Sequence, residues 1–353
     1  MTLLHRLYRA EGILLAIGFS IPLIDAVLGS VGLRDWRIGN EVCQRVLVYA
    51  ILGLGLNVVI GYTGLLHLGV AAFMAIGVYA YAILTCNIYP YQIGFWPALL
   101  AVPAIGAAAG ILLGAPTLRL RGDYLAIVTL GFGEIMQDVI KNVERVTQGT
   151  KGINPLPPPS VPGYAFTSEH YEPWYYLFLA ILAGLVVLVR NLERSRLGRQ
   201  WMSLREDELA ATAMGINPVR TKLMAFAIGA ALCALAGVLW ASKLTTTAEP
   251  TTYDFSMSIT VLVLLIVGGL GSLKGVLAGA GIVMGFDIVL NKLTGAMGAT
   301  GANVFLTPNN WKFLVFGLAL VVMMRFKPLG IFPAERERPA EKAEPEVTRV
   351  GVE

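Results

Sequence analysis

Apolar runs of about twenty residues, separated by short charged stretches, dominate the pattern of this chain. A bilayer core about 30 Å thick is crossed by about 20 apolar residues in a helix, and shorter runs are tolerated inside a bundle. Such runs fall near 11–29, 44–60, 64–85, 96–114 and 123–140. After a polar interval they resume near 174–190, 222–242, 257–270, 275–290 and 311–325. The pattern predicts an all-α polytopic integral membrane protein with about ten transmembrane or re-entrant helices. The runs at 257–270 and 275–290 are short for a full crossing, so each is either a span or a broken or re-entrant helix. The opening MTLLHRLYRAEGILLAIGFS has basic residues followed by an apolar run, like a signal peptide. The many apolar runs after it favour an uncleaved first span.

Composition agrees with the pattern. The chain is 56% hydrophobic and 14% charged, with a mean hydropathy of +0.67; soluble domains carry about 25% charged residues. Cys43, Cys86 and Cys233 are scattered without metal-binding spacing and read as small hydrophobes. The net charge of +4 matters less than its distribution. If the N-terminus is cytoplasmic, the inner segments hold Arg6, Arg9, Arg119, Arg121, the whole of 190–222, Lys274, Arg325, Lys327 and the C-terminal tail. The outer segments hold fewer cations, chiefly Arg34, Arg37, Lys141, Arg145, Lys151, Lys243 and Lys292. The positive-inside rule then places both termini in the cytoplasm. The expected organisation is a membrane domain over 1–333, an external loop at 141–173, a cytoplasmic loop at 190–222 and a charged, disordered cytoplasmic tail at 334–353.

The 190–222 loop contains the longest charged interruption, ERSRLGRQWMSLREDELAATAMGINPVRTK. Ser203 and Glu206 have capping-box spacing, and Glu206, Asp207 and Glu208 would then load the first helical turn with favourable negative charge. Gly215 predicts a C-terminal stop, and Asn217-Pro218 a new N-cap. A helix of about ten residues is marginal alone in water, so neighbouring helices or a partner must hold it.

Glycine marks two further features. GLNVVIGYTGLLHLGVAAFMAIG (55–77) echoes LVLLIVGGLGSLKGVLAGAGIVMG (262–285), each an apolar run, a glycine-rich break and a second run. A genuine echo would organise the chain as two parallel repeats, and matched breaks point to a substrate site; chance similarity of apolar sequence is the alternative. Gly106, Gly110, Gly114 and Gly271, Gly275, Gly279 form small-residue stripes that allow close helix packing.

Ionisable residues within spans are costly and are candidates for function. They are Asp25, Glu134, Asp138, Asp287 and His67. Glu134, Asp138 and Lys141 share one helix face, either as a polar path suited to a zwitterion or as a structural charge network. Asp123 fits a helix N-terminus. His67 is either a packed histidine or a proton relay. No HExxH, GxSxG or GxxxxGK[ST] string occurs, so neither a standard enzyme motif nor a phosphate-binding loop is present.

LRLRGDYLAIVTLGFGEI (118–135), LNVVIGYTGLLHLGVAAFMAIGVYAYAIL (56–84), GRQWMSLREDELAATAMGINPVRTKLMAF (198–226) and VLVLLIVGGLGSLKGVLAGA (261–280) resemble the LivM-type membrane permeases of bacterial branched-chain amino acid ABC importers. The resemblance covers about 45 to 330 in the family's order. It implies a non-enzymatic permease subunit forming half of an amino acid pathway in the inner membrane. Expected partners are cytoplasmic ABC ATPase subunits, a second homologous (LivH-like) permease, a periplasmic or extracellular solute-binding protein and the lipid bilayer. No nucleic acid, cofactor or metal is implied. It makes 203–215 a coupling helix that docks on the ATPase, with Arg205, Glu206, Asp207, Glu208, Ala210, Ala211 and Gly215 as contact candidates. Leu209 interrupts the general EAA-then-glycine pattern between Glu208 and Ala210. Candidate pathway residues are Gly61, Gly64, His67, Gly69, Thr129, Glu134 and Asp138. Competing readings are a sister permease for urea, short amides or other amino acids, and a proton- or sodium-coupled secondary carrier.

Overall fold

The computed structural model describes residues 18, 20–22, 39–117, 123–161, 164–166, 170–247, 249–296, 311–327 and 329–333. The first apolar run falls almost wholly outside these residues, as do Asp25, the Arg119-Arg121 pair and the charged tail. Each of the other nine runs falls on a helix. They are α1 (Gly39–Tyr62), α2 (Val70–Thr85), α3 (Phe95–Thr117), α4 (Asp123–Asn142) and α5 (Glu172–Arg194). After two short helices, α6 (Arg196–Glu206) and α7 (Glu208–Ala213), come α8 (Pro218–Leu244), α9 (Phe255–Gly268), α10 (Leu273–Ala296) and α11 (Lys312–Phe326). The chain is a polytopic all-α membrane protein; a two-residue pairing of Ser160–Val161 with Tyr164–Ala165 interrupts the helical pattern in one loop.

The structure decides one open alternative and corrects one boundary. The run at 275–290 belongs to a helix of 24 residues, long enough to cross without a break. The run at 64–85 is helical only from Val70, because the Gly64–Gly69 segment leaves the helix with Gly64 at a positive φ of 71°. The other glycine-rich break is a short turn, Gly269–Ser272, between α9 and α10.

The core is built around α8, which packs most extensively on α3 and then on α2 and α1. Small residues allow this approach. A Cβ on Gly106 would lie 2.5 Å from Ala234 Cβ, and one on Gly110 2.6 Å from the Phe226 carbonyl oxygen. On the second stripe, a Cβ at Gly275 would lie 2.7 Å from the Gly268 carbonyl oxygen. Both GxxxG stripes therefore hold helices together.

Connections segregate to two ends. At one, the loop after α4 covers the bundle: Leu156 N–H donates to the Thr245 carbonyl at 2.9 Å and Thr247 N–H to that of Ile153. Tyr81 Oη donates to the Pro157 carbonyl at 2.7 Å, and Lys243 Nζ lies 5.3 Å over the Trp174 ring. Ile153 and Leu156 are buried, which explains why so polar a segment is ordered. At the opposite end sit α6, α7, both glycine-rich breaks and residues 329–333, where Ile331 N–H donates to the Val267 carbonyl. Successive long helices run alternately between these two ends.

Candidate functional site

The segment between α5 and α8 holds the charged interruption singled out in the sequence. Leu197, Trp201 and Leu204 repeat at i, i+4 and i+7, which gives α6 one apolar face. Trp201 and Leu204 are buried on it. Trp201 Nε1 donates to the Thr221 carbonyl at 2.8 Å, and its ring stacks parallel on Tyr62 at 6.3 Å. Tyr62 Oη donates to Glu193 Oε2 at 3.3 Å. Alpha-6 is thus fixed both to the start of α8 and to the end of α1.

The helix boundaries differ from those expected. Ser203 lies inside α6, so it caps nothing; Ser195 is the N-cap of α6, accepting from Gly198 N–H. Asp207 is the N-cap of α7, its Oδ1 accepting from Leu209 and Ala210 N–H at 2.8 and 3.0 Å. Glu206 ends α6, and of the three acidic residues only Glu208 occupies the first turn of α7. Gly215 adopts φ +87° beyond the helix and Asn217 Oδ1 accepts from Arg220 N–H, in line with the expected stop and restart.

Alpha-7 has six residues and is held from outside itself. Glu208 Oε1 pairs with Lys222 Nζ at 2.8 Å, and Ala211 is buried against the protein. The opposite surface is open. Leu209 is 79% and Met214 84% exposed, with Ala210, Thr212 and Ala213 between them also exposed. Neither Leu209, expected as an interruption of the pattern, nor Met214 was among the expected contacts; their signal was large apolar side chains within a helix expected to be held by neighbouring helices or a partner. Arg205 is turned the other way. Its Nη1 donates to the Gly61 carbonyl at 2.7 Å and its side chain packs over Gly64.

The two glycine-rich breaks meet at this end. Asn57 Oδ1 accepts from Gly271 N–H at 2.9 Å. In the first break, Leu68 N–H donates to Thr129 Oγ1 at 3.0 Å and Ala71 N–H to Ser258 Oγ at 3.2 Å. A Cβ on Gly69 would lie 2.7 Å from the Thr129 carbonyl oxygen. His67 is buried between the rings of Phe73 and Phe226, each centred 5.4 Å away, and its Nδ1 has no hydrogen-bond partner. The seam around it, lined by Val59, Val70 and Cys233, is too narrow for water. Gly61, Gly64, His67, Gly69 and Thr129 therefore form one neighbourhood.

Glu134 and Asp138 do not join it. Both lie on the exposed side of α4 with Tyr124, Ile127 and Ile135. Lys141 Nζ donates to Gln137 Oε1 at 2.7 Å and lies 3.8 Å from Asp138 Oδ1. Asp287 is buried at the end away from α6. Arg45 Nη1 donates to its Oδ2, and Lys312 Nζ stands 3.2 Å from its Oδ1. That network joins α1, α10 and α11 and was invisible in sequence, since 242 residues separate Arg45 from Asp287. Among the described residues no three His, Cys, Asp or Glu side chains cluster as a metal site.

Residues 41–324 match the family described as the branched-chain amino acid transport system permease component. The chain belongs to this permease family. The permease is 38% identical over 317 residues to the high-affinity branched-chain amino acid transport system permease protein LivM of Salmonella typhimurium, covering 84% of this chain and 70% of the relative. Identity and coverage are the same for LivM of Escherichia coli. LivH of Salmonella typhimurium is 24% identical over 301 residues, 80% of this chain and 90% of that one. No solved structure matches the permease. Members of the family are membrane subunits of ABC transport systems rather than enzymes, and this permease is a multi-pass membrane protein.

Proposed function

We propose that this chain forms half of an ATP-driven import pathway for branched-chain amino acids, coupled to a separate ATPase through α7. The observation that carries the reading is the exposed surface of α7. A helix of six residues is too short to persist by its own hydrogen bonds, yet it is capped by Asp207, pinned by Lys222 and left with Leu209 and Met214 in solvent. Apolar side chains rimmed by charge suit a groove on a partner protein. Glu206, Glu208, Ala210 and Gly215 flank or shape that surface, while Ala211 anchors it from beneath.

A second permease is the natural cover for α4. Glu134 is the twelfth residue of a 20-residue helix and is exposed. A carboxylate facing lipid near a helix centre costs about 2.5–3.5 kcal/mol on insertion scales. Water in a pathway, or a facing subunit, removes that cost. Glu134 and Asp138 then offer negative charge to the amino group of a zwitterionic solute, with Lys141 available to its carboxylate. Gly61, Gly64, His67, Gly69 and Thr129 belong to the gate at the α7 end, and the cation-rich α6–α7 segment supports a cytoplasmic location for that end. The positive-inside rule favours a cytoplasmic location for both termini as well. An external solute-binding protein delivers substrate at the other end of the bundle.

The test is uptake in inside-controlled proteoliposomes holding this chain with its co-purifying ATPase and permease, supplied with a liganded binding protein. Uptake of leucine, isoleucine or valine that requires ATP and survives an uncoupler is expected. Uptake that collapses with the uncoupler and ignores ATP would replace the reading with a secondary carrier.

A further inference from the structure

The junction of α6 with the two glycine-rich breaks offers a physical route from the docking helix to the gate, and its geometry rests on four residues. Gly61 lies in the last turn of α1, where carbonyls lack intrahelical partners. The Arg205 guanidinium supplies the missing donor at 2.7 Å from another element, a use of arginine at helix C-termini that the dipole also favours. Arg205 itself is two residues before Asp207, the residue that starts α7. The end of α1 is therefore held by the segment that presents the docking surface.

From Gly61 the route continues without a gap. A Cβ on Gly61 would overlap Asn57 Oδ1 and come 2.8 Å from Gly271 N. The α9–α10 turn thus rests directly on the Gly61 backbone, and Asn57 ties it there through Gly271 N–H at 2.9 Å. Gly271 and its neighbour Gly269 both have positive φ, 77° and 127°, and Gly64 on the other break has φ 71°. Backbone of this kind can change conformation with little steric penalty. One more feature marks the junction as poised. Asn57 Nδ2 is buried without an acceptor, and a buried unpaired donor costs about 1–3 kcal/mol. A second arrangement of the α9–α10 turn that brings a carbonyl to Nδ2 removes that cost.

We propose that Arg205 is a positioning residue that transmits displacement of α7 to both glycine-rich breaks, through the Gly61 carbonyl and the Asn57–Gly271 hydrogen bond. The inference rests on the permease reading and deepens it by naming the link between ATPase docking and the gate. In this arrangement Arg205 does not touch the ATPase; it moves with α6 and α7 because Trp201 and Glu208 lock those helices to the start of α8. Pulling α7 shifts the capping donor of α1, and the α9–α10 turn follows because it is seated on Gly61.

The experiment uses the complete importer in proteoliposomes and measures substrate accumulated per ATP hydrolysed. Arg205→Ala is expected to leave the complex assembled and hydrolysing ATP while that ratio falls about tenfold, an ordinary size for an interaction coupling two sites. Arg205→Lys, which keeps a donor, is expected to restore part of the ratio. Asn57→Leu should lower the ratio as well, and the double variant should be no worse than the more severe single one, since both act on one link. A wild-type ratio in Arg205→Ala overturns the proposal. So does loss of the ATPase from the complex, which would make Arg205 part of the docking surface, and so do additive defects. Absence of ATP-driven uptake by the wild-type importer is a different failure, because it removes the permease reading and this proposal together.

Discussion

One added carbon at Gly61 would separate contacts that no neighbouring glycine controls. Its Cβ would meet Asn57 Oδ1 and the Gly271 backbone at once, and backbone cannot step aside as a long side chain can. Overpacking of this kind costs about 1–3 kcal/mol, so Gly61→Ala should lower the thermal midpoint of the purified complex and impair uptake. Gly184 is the control, since a Cβ there meets nothing within 4 Å and alanine favours the helix. Gly184→Ala should match or slightly exceed wild-type stability; equal midpoints for the two variants would show that the close approach at Gly61 carries no weight. The glycine-rich breaks were legible in the sequence as breaks. That they touch one another was not, because the contact runs through Asn57, a single polar residue in an apolar run whose pattern names no partner for it.

Helix patterning placed a helix in the 203–215 segment while misplacing its internal boundary. Ser203 and Glu206 satisfy the capping-box spacing, but Leu197, Trp201 and Leu204 continue an apolar face through position 203, and burial of a tryptophan outweighs a cap worth about 1 kcal/mol. Asp207 satisfies the same cap chemistry four residues later, and short-range rules could not choose between them. The long helices were easier to read because twenty apolar residues leave few alternatives in a bilayer. The same reasoning explains α7, which is short enough to need support on both sides. One side has it, through Ala211 and the Glu208–Lys222 pair. Leu209→Glu or Met214→Glu should therefore weaken retention of the ATPase by about 2 kcal/mol or more, as expected for central apolar anchors. Co-purification in mild detergent checks this; full retention by both variants would move the docking surface elsewhere. Glu208→Gln should act differently, loosening α7 from Lys222 and lowering uptake per ATP while the ATPase stays bound.

Across the whole molecule, the alternation of helices between two ends supports a sidedness that can be measured. The end bearing α6 and α7 carries Arg194, Arg196, Arg199, Arg205, Arg220, Lys222, Lys274, Arg325 and Lys327; the opposite end carries Arg45, Lys141, Arg145, Lys151, Lys243, Lys292 and Lys312. Translocation disfavours the more cationic side, which is the ground for the proposal that the α7 end is cytoplasmic. The native thiols make this accessible to labelling, because Cys43, Cys86 and Cys233 are all buried and give little background. Lys151→Cys and Met214→Cys place new thiols at opposite ends, and both positions are exposed. A membrane-impermeant maleimide on intact cells should modify Lys151→Cys at once and Met214→Cys only after permeabilisation. The reverse order would put α7 outside, beyond reach of any cytoplasmic ATPase, and Arg205 would then have no ATP-driven motion to transmit. Protection of Met214→Cys in permeabilised membranes, relieved when the ATPase is stripped away, would join sidedness to docking in one measurement: the same exposed methionine would report which way the bundle faces and what covers it.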